Sequence, residues 1–163
     1  MKNIKILKLF PLVVFLFFII SSFTTKATTY KCMIQMTNYS GEGAYIAISL
    51  LNPVGEYEKT LYVQGDDDEW YFDITEWWQF QGKTRINIDA VTGATLSGGS
   101  RTISILSIED NKIDTGYKIR FESAVEDQDY YKDDVEFELT SETIKSTTNG
   151  KGFIRYVRMM PNK

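Results

Sequence analysis

Two threonine hydroxyls flank a glycine-alanine pair in the segment Asp89–Thr95, which reads DAVTGAT. A threonine hydroxyl is a weak nucleophile, so chemistry at Thr95 would need a base, and the carboxylate of Asp89 is a candidate. Gly93 and Ala94 keep side-chain bulk low, which would let a large group come close to the backbone. The same residues suit a plain turn in which Gly93 takes a positive φ. The segment therefore predicts either a turn or a site where a hydroxyl is reached by something large.

The residue types that the chain lacks exclude several kinds of chemistry. It has no histidine and a single cysteine, Cys32. Ser-His and Cys-His nucleophile pairs, histidine-ligated metals and haem attachment are therefore impossible, and one cysteine cannot form an internal disulfide. Cys32 alternates with Tyr30 and Ile34, so we expect it to be a buried residue of a strand.

Tryptophans and acidic stretches are the other candidates for binding chemistry. Trp70, Trp77 and Trp78 could form a stacking platform for a sugar or a flavin ring, or a plug over the core. The stretches 66–68 and 126–134 carry clustered carboxylates, which could bind calcium. Neither stretch has the ligand spacing of a known calcium loop, so we interpret both as solvated loops. Paired carboxylates could serve a glycosidase, but these acids lie in loop clusters of a small domain, so we do not expect an autonomous hydrolase.

Most of the chain alternates apolar and polar residues with a period of two, which indicates strands. The segment 44–51 is instead a nearly continuous apolar run. Turn residues separate the segments at a spacing typical of sandwiches. The predicted strands are Thr29–Thr37, Ala44–Leu51, Lys59–Gln64, Thr84–Asp89, Arg101–Ile108, Tyr117–Val125, Val135–Thr140 and Phe153–Met160. The fold predicted from this pattern is all-β, an immunoglobulin-like antiparallel β-sandwich.

One segment, residues 66–83, breaks the alternation. Its apolar and aromatic residues recur every three or four positions, which predicts a short helix. Acids at 66–68 favour a helix start, and Gly82 is placed to end it. We expect this tryptophan-rich helix to lie across one end of the sandwich.

The first 27 residues have the layout of a cleavable signal peptide. Three lysines precede an apolar run over residues 9–23, and Thr25 and Ala27 supply small residues before a cut after Ala27. No small-residue box precedes Cys32, so no lipid anchor is expected. The sequence therefore predicts a periplasmic or secreted protein with one domain over residues 28–163.

The charge of that domain limits its partners. Removing residues 1–27 takes four lysines and no acid from the 18 basic and 22 acidic residues, which leaves a net charge of −8. Such a surface repels phosphates and anionic lipid headgroups. Binding to nucleic acid is therefore not expected.

The segment Asp89–Thr95 resembles the flavinylation motif of covalent flavoproteins, which has Asp, two variable positions, Ser or Thr, Gly, Ala, and then Ser or Thr. In those proteins a flavin transferase takes the FMN half of FAD and joins its phosphate to the last hydroxyl. The resemblance implies that Thr95 carries FMN and that Asp89, Thr92, Gly93 and Ala94 form the frame for recognition. It also implies that a base and a metal come from the transferase or from a carboxylate such as Asp89.

Much of residues 30–127 is similar to an exported bacterial family of predicted periplasmic proteins, the domain of unknown function 2271. The similar pieces are AYIAISLLNPVGEYEKTLYV, EWYFDITEWWQ, DAVTGATLSGG and YKIRFESAVED. Members look like small immunoglobulin-like sandwiches and are often encoded near flavin transferases and redox membrane proteins. The resemblance therefore implies a redox context, with a flavin transferase and membrane redox proteins as partners. This chain has Ser107–Lys112 where members carry a Trp-Asp-Gly turn.

Three functions are compatible with this reading. The first is an exported electron-transfer protein that carries FMN through a phosphoester on Thr95. The second is a non-catalytic binding or assembly module of a periplasmic redox or surface complex, in which the Thr95 segment is only a turn. The third is a carbohydrate-binding module built on the tryptophans. All three favour an electron carrier or binding module over an enzyme.

Overall fold

The computed structural model describes residues 25–82 and 92–162. Within these ranges the chain forms nine strands, a 3-10 helix, one α-helix and two further 3-10 turns. The strands are β1 (Ala27–Met36), β2 (Tyr45–Leu51), β3 (Tyr57–Gln64), β4 (Thr92–Gly93), β5 (Arg101–Glu109), β6 (Lys118–Ala124), β7 (Tyr130–Glu138), β8 (Thr147–Asn149) and β9 (Ile154–Pro161). The helical segments are the 3-10 helix Asp68–Asp73, α1 (Thr75–Phe80), and the 3-10 turns Asp110–Lys112 and Thr143–Lys145.

The strands form two sheets, which confirms the predicted all-β sandwich. One sheet has the order β5-β1-β9-β8 and the other the order β4-β3-β2-β6-β7. All pairings are antiparallel except that of β3 with β4. The main core lies between the sheets and contains alternate residues of each strand, such as Cys32 and Ile34 of β1. The expected burial of Cys32 is confirmed.

β2 is buried along its whole length, Ser49 included, because both of its faces are covered. Ile46 and Ile48 point into the main core, whereas Tyr45 and Ala47 belong to a second cluster with Ile74 and Trp77. A strand that is half exposed would need polar residues at alternate positions, and β2 has none that is exposed.

The predicted tryptophan-rich helix is present, but it is split and lies elsewhere than expected. The 3-10 helix and α1 meet at Ile74, and Gly82 with φ +66° ends the segment, as predicted. These helices do not lie across one end of the sandwich. They pack on the outer face of the five-stranded sheet, because their apolar stripe covers the side chains that β2, β3 and β6 turn away from the main core.

Two further predictions need correction. β7 begins at Tyr130 rather than at Val135, so half of the acidic stretch 126–134 is strand and not a solvated loop. β4 and β8 are too short to show a pattern in the sequence. The predicted strand Thr84–Asp89 and residues 1–24 of the predicted signal peptide lie outside the described residues. None of the helices within the described ranges has the length and apolar character needed to span a membrane.

Candidate functional site

The segment that contains Thr95 is held against the sheet on both sides. Thr92 and Gly93 pair in parallel with the end of β3, and the Gly93 carbonyl accepts a hydrogen bond from the Gly65 amide. Three residues after Gly93, Leu96 and Ala44 exchange backbone hydrogen bonds of 2.8 and 3.1 Å. The segment is therefore a pinned stretch of backbone with only positions 94 and 95 between its two anchors.

Side chains from the neighbouring strands reinforce this attachment. The Gln64 amide donates to the Ala94 carbonyl, and the Tyr39 hydroxyl donates to the Leu96 carbonyl. The same Tyr39 oxygen accepts from the Ala44 amide at 2.8 Å. The backbone carbonyls on either side of Thr95 are thus fixed by hydrogen bonds.

Gly93 does not have a positive φ, so the prediction of a left-handed turn residue is wrong. A Cβ at this position would lie 2.7 Å from the Tyr62 hydroxyl oxygen and 3.0 Å from the Gln64 amide nitrogen. The missing side chain leaves room for these two side-chain ends beside β4, while the approach of a large group to this backbone stays a prediction.

Thr95 is half-buried and lines a small surface pocket. The pocket has a volume of about 140 Å³. Its lining consists of Glu42, Gly43, Tyr45, Trp70, Thr95 and Glu126. The Thr95 hydroxyl rests against Gly43, where an added Cβ would lie 2.3 Å from the oxygen. Within the described part of the chain this hydroxyl has no hydrogen-bond partner.

The surroundings of the pocket are strongly acidic. Glu42 and Glu126 are part of its lining. Burial, together with the nearby charges of Asp67 and Asp66, raises the pKa of Tyr45 to about 12. Burial and these charges both disfavour the ionised form of the Tyr45 hydroxyl.

The structure brings four of the five predicted site residues to one place. Thr92, Gly93, Ala94 and Thr95 form a continuous surface segment, in which Ala94 is exposed and the others are half-buried. Asp89 lies outside the described residues, so its predicted role stays a prediction.

The tryptophans divide between core and surface. Trp77 is only 1% exposed, and its indole nitrogen donates to the Thr60 hydroxyl at 2.9 Å. Its ring also meets Tyr71 edge-on at a centroid distance of 5.2 Å. Trp77 is therefore a plug over the sheet. Trp70 and Trp78 are half-buried, and Trp70 reaches the Thr95 pocket.

A buried carboxylate on β6, Glu122, is a feature that the sequence analysis missed. Glu122 is fully buried and accepts hydrogen bonds from the Tyr57 hydroxyl at 2.6 Å and from the Tyr130 hydroxyl. It also accepts from the Trp77 amide in the first turn of α1 at 3.2 Å. A charged residue inside the otherwise apolar and small run FESAV was the available signal.

The pKa of Glu122 lies above its ordinary value because burial disfavours the charged carboxylate, although the Tyr130 and Tyr57 hydroxyls partly oppose this effect. The same contact raises the pKa of both tyrosines, burial again being the larger cause. Since all the oxygens of this network have partners, its evident effect is to attach α1 to the sheet. A surface cleft of about 500 Å³ opens beside it, lined by Glu56, Tyr57, Glu76, Gln79 and Phe80.

The acidic stretches do not form a metal site within the described residues. Across residues 25–82 and 92–162 no three His, Cys, Asp or Glu side chains are grouped so that they could hold a metal ion. In the second stretch, Asp134 is buried and accepts from the amides of Lys151, Gly152 and Ile154 at 2.8–2.9 Å. These bonds give Asp134 a structural role that its sequence context did not indicate.

Comparison with known families gives one match. A family model described as "Predicted periplasmic protein (DUF2271)" matches residues 27–156. The match runs from the start of β1 into β9 and includes the Thr95 segment. Comparisons with curated proteins and with solved structures give no match.

Proposed function

This chain belongs to the DUF2271 family of predicted periplasmic proteins, and on that premise we propose that it is an exported electron-transfer protein that carries FMN through a phosphoester on Thr95. The observation that carries the proposal is the Thr95 hydroxyl, which lines a surface pocket and has no hydrogen-bond partner among the described residues. It follows the Thr-Gly-Ala sequence of a flavinylation motif.

The residues around Thr95 fit an attached FMN if the flavin ring lies mostly on the surface. The pocket of about 140 Å³ is below the roughly 300 Å³ at the small end of ligand sites, so it does not enclose the ring. Trp70 in the pocket wall offers an aromatic face beside the attachment point. Glu42 and Glu126 oppose a phosphate at close range, which favours a group that points outward from the pocket.

Attachment requires only one bond change at this chain. The Thr95 oxygen bonds to the phosphorus on the FMN side of FAD, the phosphoanhydride bond breaks, and AMP leaves with the electron pair. The hydroxyl proton must pass to a base, and the carboxylates of Glu42 and Glu126 line the same pocket. The pinned backbone on either side holds the Thr95 oxygen in place, which lowers the entropic cost of the reaction.

The isoalloxazine ring supplies the redox chemistry when it is bound. The part of the chain near Thr95 sets the charge around the ring, and it is acidic. Because nearby carboxylates disfavour added negative charge, they lower the tendency of the ring to accept electrons. Covalent attachment also has a physical advantage outside the cytoplasm, where a dissociated flavin would diffuse away.

Co-expression with an active flavin transferase tests this proposal. We expect a fluorescent protein band and a mass increase equal to one FMN less one water. Thr95→Ala removes both signals because it removes the oxygen, whereas Thr95→Ser keeps them. Ser97→Ala, which removes an exposed hydroxyl two residues away, is the matched control and keeps them too. If the wild-type band stays dark while the transferase modifies another substrate, the proposal fails.

The second candidate is a non-catalytic binding or assembly module, and a specific observation favours it. The hydrogen bonds from Gln64, Gly65 and Tyr39 give the segment 93–96 a structural role that needs no modification. This candidate predicts an unmodified mass for wild type. It also predicts that membrane redox proteins co-purify equally with wild type and with Thr95→Ala.

A further inference from the structure

The outer face of the four-stranded sheet carries an unusual set of side chains. Successive rows across β5, β1 and β9 are Arg101–Gln35–Tyr156, Ile103–Met33–Arg158 and Ile105–Lys31–Met160. We call these nine residues the amphipathic face. All nine are at least partly exposed. Ile103 is 56% and Ile105 is 47% exposed, and both count among the exposed large apolar side chains of the described chain.

The charge of the amphipathic face is opposite to that of the whole chain. It holds three cations, Lys31, Arg101 and Arg158, and no acid, whereas the chain as a whole has a net charge of −4. The acidic residues around the Thr95 pocket lie on the side of the five-stranded sheet. The molecule is therefore polarised: a negatively charged partner is attracted to the amphipathic face and repelled by the acidic surface around the Thr95 pocket.

Arg101, one of the three cations of the amphipathic face, is held in place by hydrogen bonds. The Arg101 guanidinium donates to the Gln35 side-chain oxygen at 2.8 Å and reaches the Tyr156 hydroxyl at 3.4 Å. Gln35 in turn donates to the carbonyls of Gly99 and Ser100 at 3.0 and 3.1 Å. Because these bonds restrict the side chains, less conformational entropy is lost when a partner docks on them.

We propose that the amphipathic face is the docking surface for a protein partner that presents an acidic rim around an apolar centre. An acidic protein partner is favoured because its charge is complementary to the three cations of the face. A second copy of the chain would bring cation against cation. A membrane would present its negative potential to the whole acidic molecule, and three cations supply only about 1 kcal/mol each at an anionic surface.

The size of the face indicates a short-lived complex. Three strands at the usual spacing and three rows of side chains cover roughly 10 by 14 Å. This is small beside the roughly 800 Å² per partner of a stable interface, so the contact belongs to the weak class that includes redox encounters. The docking surface does not depend on whether Thr95 carries FMN, since none of its residues lies in the Thr95 segment.

A defined peptide tests the proposal. The probe is a nine-residue peptide of alternating glutamate and leucine, matched in length to β5. Its comparisons are a lysine-leucine peptide and a glutamate-serine peptide. We expect only the glutamate-leucine peptide to shift the backbone NMR signals of β5, β1 and β9, with an affinity that falls as salt rises from about 50 to about 200 mM.

Variants of the face and of the opposite sheet decide the outcome. We expect two double variants to lower the affinity for the glutamate-leucine peptide at least about tenfold. They are Arg101→Glu/Arg158→Glu and, separately, Ile103→Ser/Ile105→Ser. Lys59→Glu, an exposed cation on β3, and Val54→Ser, an apolar residue 78% exposed in the β2–β3 turn, leave its affinity unchanged. Equal weakening by the control variants, shifts confined to other surfaces, or no shifts at millimolar peptide would overturn the proposal.

Vesicles separate a protein partner from a membrane. We expect no sedimentation of the protein with phosphatidylcholine vesicles, with or without phosphatidylglycerol. Sedimentation that requires phosphatidylglycerol and is lost in Ile103→Ser/Ile105→Ser would assign the face to lipid and overturn the proposal.

Discussion

At the scale of single residues, two buried carboxylates show how environment sets a side chain's contribution. Glu122 and Asp134 are both fully buried. Glu122 receives two tyrosine hydroxyls and one amide, and burial raises its pKa. Glu136, on the neighbouring strand, is in the opposite situation. Burial alone would raise its pKa, but the hydrogen bond and charge of Arg120, with Lys118, outweigh burial and lower it.

The two glutamates should therefore give opposite dependences of stability on pH. Because the folded-state pKa of Glu122 is above its model value of 4.5, its full stabilisation is present below that pH and is lost as pH rises through the folded pKa. The stability difference between wild type and Glu122→Gln should thus shrink as pH rises above about 4.5. Urea unfolding of both proteins across the range from acid to neutral pH measures this difference.

Glu136→Gln is the matched control for that experiment. The pKa of Glu136 is lowered in the folded state, so its stabilisation is present above the unfolded pKa and is lost as pH falls through the folded pKa. The stability difference between wild type and Glu136→Gln should shrink toward acid pH. A difference for Glu122→Gln that is flat, or that follows the Glu136 trend, would contradict the assigned environments.

At the scale of elements, the short pieces of the fold depend on side-chain bonds to longer ones. α1 has six residues and no side-chain cap of its own, and Glu122 and Tyr130 satisfy the amides of Trp77 and Glu76 in its first turn. The turn between β8 and β9 is likewise held by Asp134 of β7. A helix as short as α1 is marginal by itself, so its contacts with the sheet account for its presence.

Adjacent aspartates test the role of Asp134 in that turn. Asp134→Asn replaces one of the two carboxylate oxygens by an NH₂ group. In one orientation this NH₂ faces the backbone N–H of Ile154, and in the other it faces the backbone N–H groups of Lys151 and Gly152. A buried N–H is then unpaired, and we expect a loss of about 1–3 kcal/mol in unfolding free energy. Asp133→Asn removes only an ion pair with Lys151 whose side chains are more than half exposed, so we expect at most about 1 kcal/mol. Equal losses in denaturant unfolding would refute this account.

At the scale of the whole molecule, the sandwich combines a closed core with a polarised surface. The main core draws on both sheets, and the chain's one thiol, Cys32, lies within it with no exposed surface. Acids gather around the Thr95 pocket, and cations gather on the amphipathic face of the opposite sheet. This division separates the proposed site of FMN attachment from the proposed docking surface for a partner.

The reactivity of Cys32 should report global opening of the sandwich. Burial raises the pKa of the thiol from 9.0 to about 12, which reduces the thiolate about a thousandfold before steric protection is counted. We expect alkylation of the native protein to be slow and to accelerate with denaturant along the unfolding curve. Cys32→Ala/Val54→Cys, with its thiol on an exposed turn, should react at the rate of a free thiol. Fast labelling of native Cys32 would mean that the core opens locally.

The sequence by itself determined the fold class, because the alternation of side chains along a strand is a local property. The pattern of β1 and β5 alone identifies their buried and exposed faces, and the Trp70–Gly82 spacing identifies a helix. The Thr95 segment was also singled out as a candidate site from its residues alone, and its function stays a prediction.

Only the tertiary structure decided where these pieces meet. Tyr57 and Glu122 are 65 residues apart in the chain yet hydrogen-bonded, and neither shows its partner in its own neighbourhood. The pocket at Thr95 likewise joins Gly43 and Glu126 from distant turns, and the Tyr62 hydroxyl oxygen lies 2.7 Å from where a Cβ on Gly93 would be. The burial of a side chain, its pKa and the charges around it depend on contacts between strands. The periodicity of the sequence does not show which strands become neighbours.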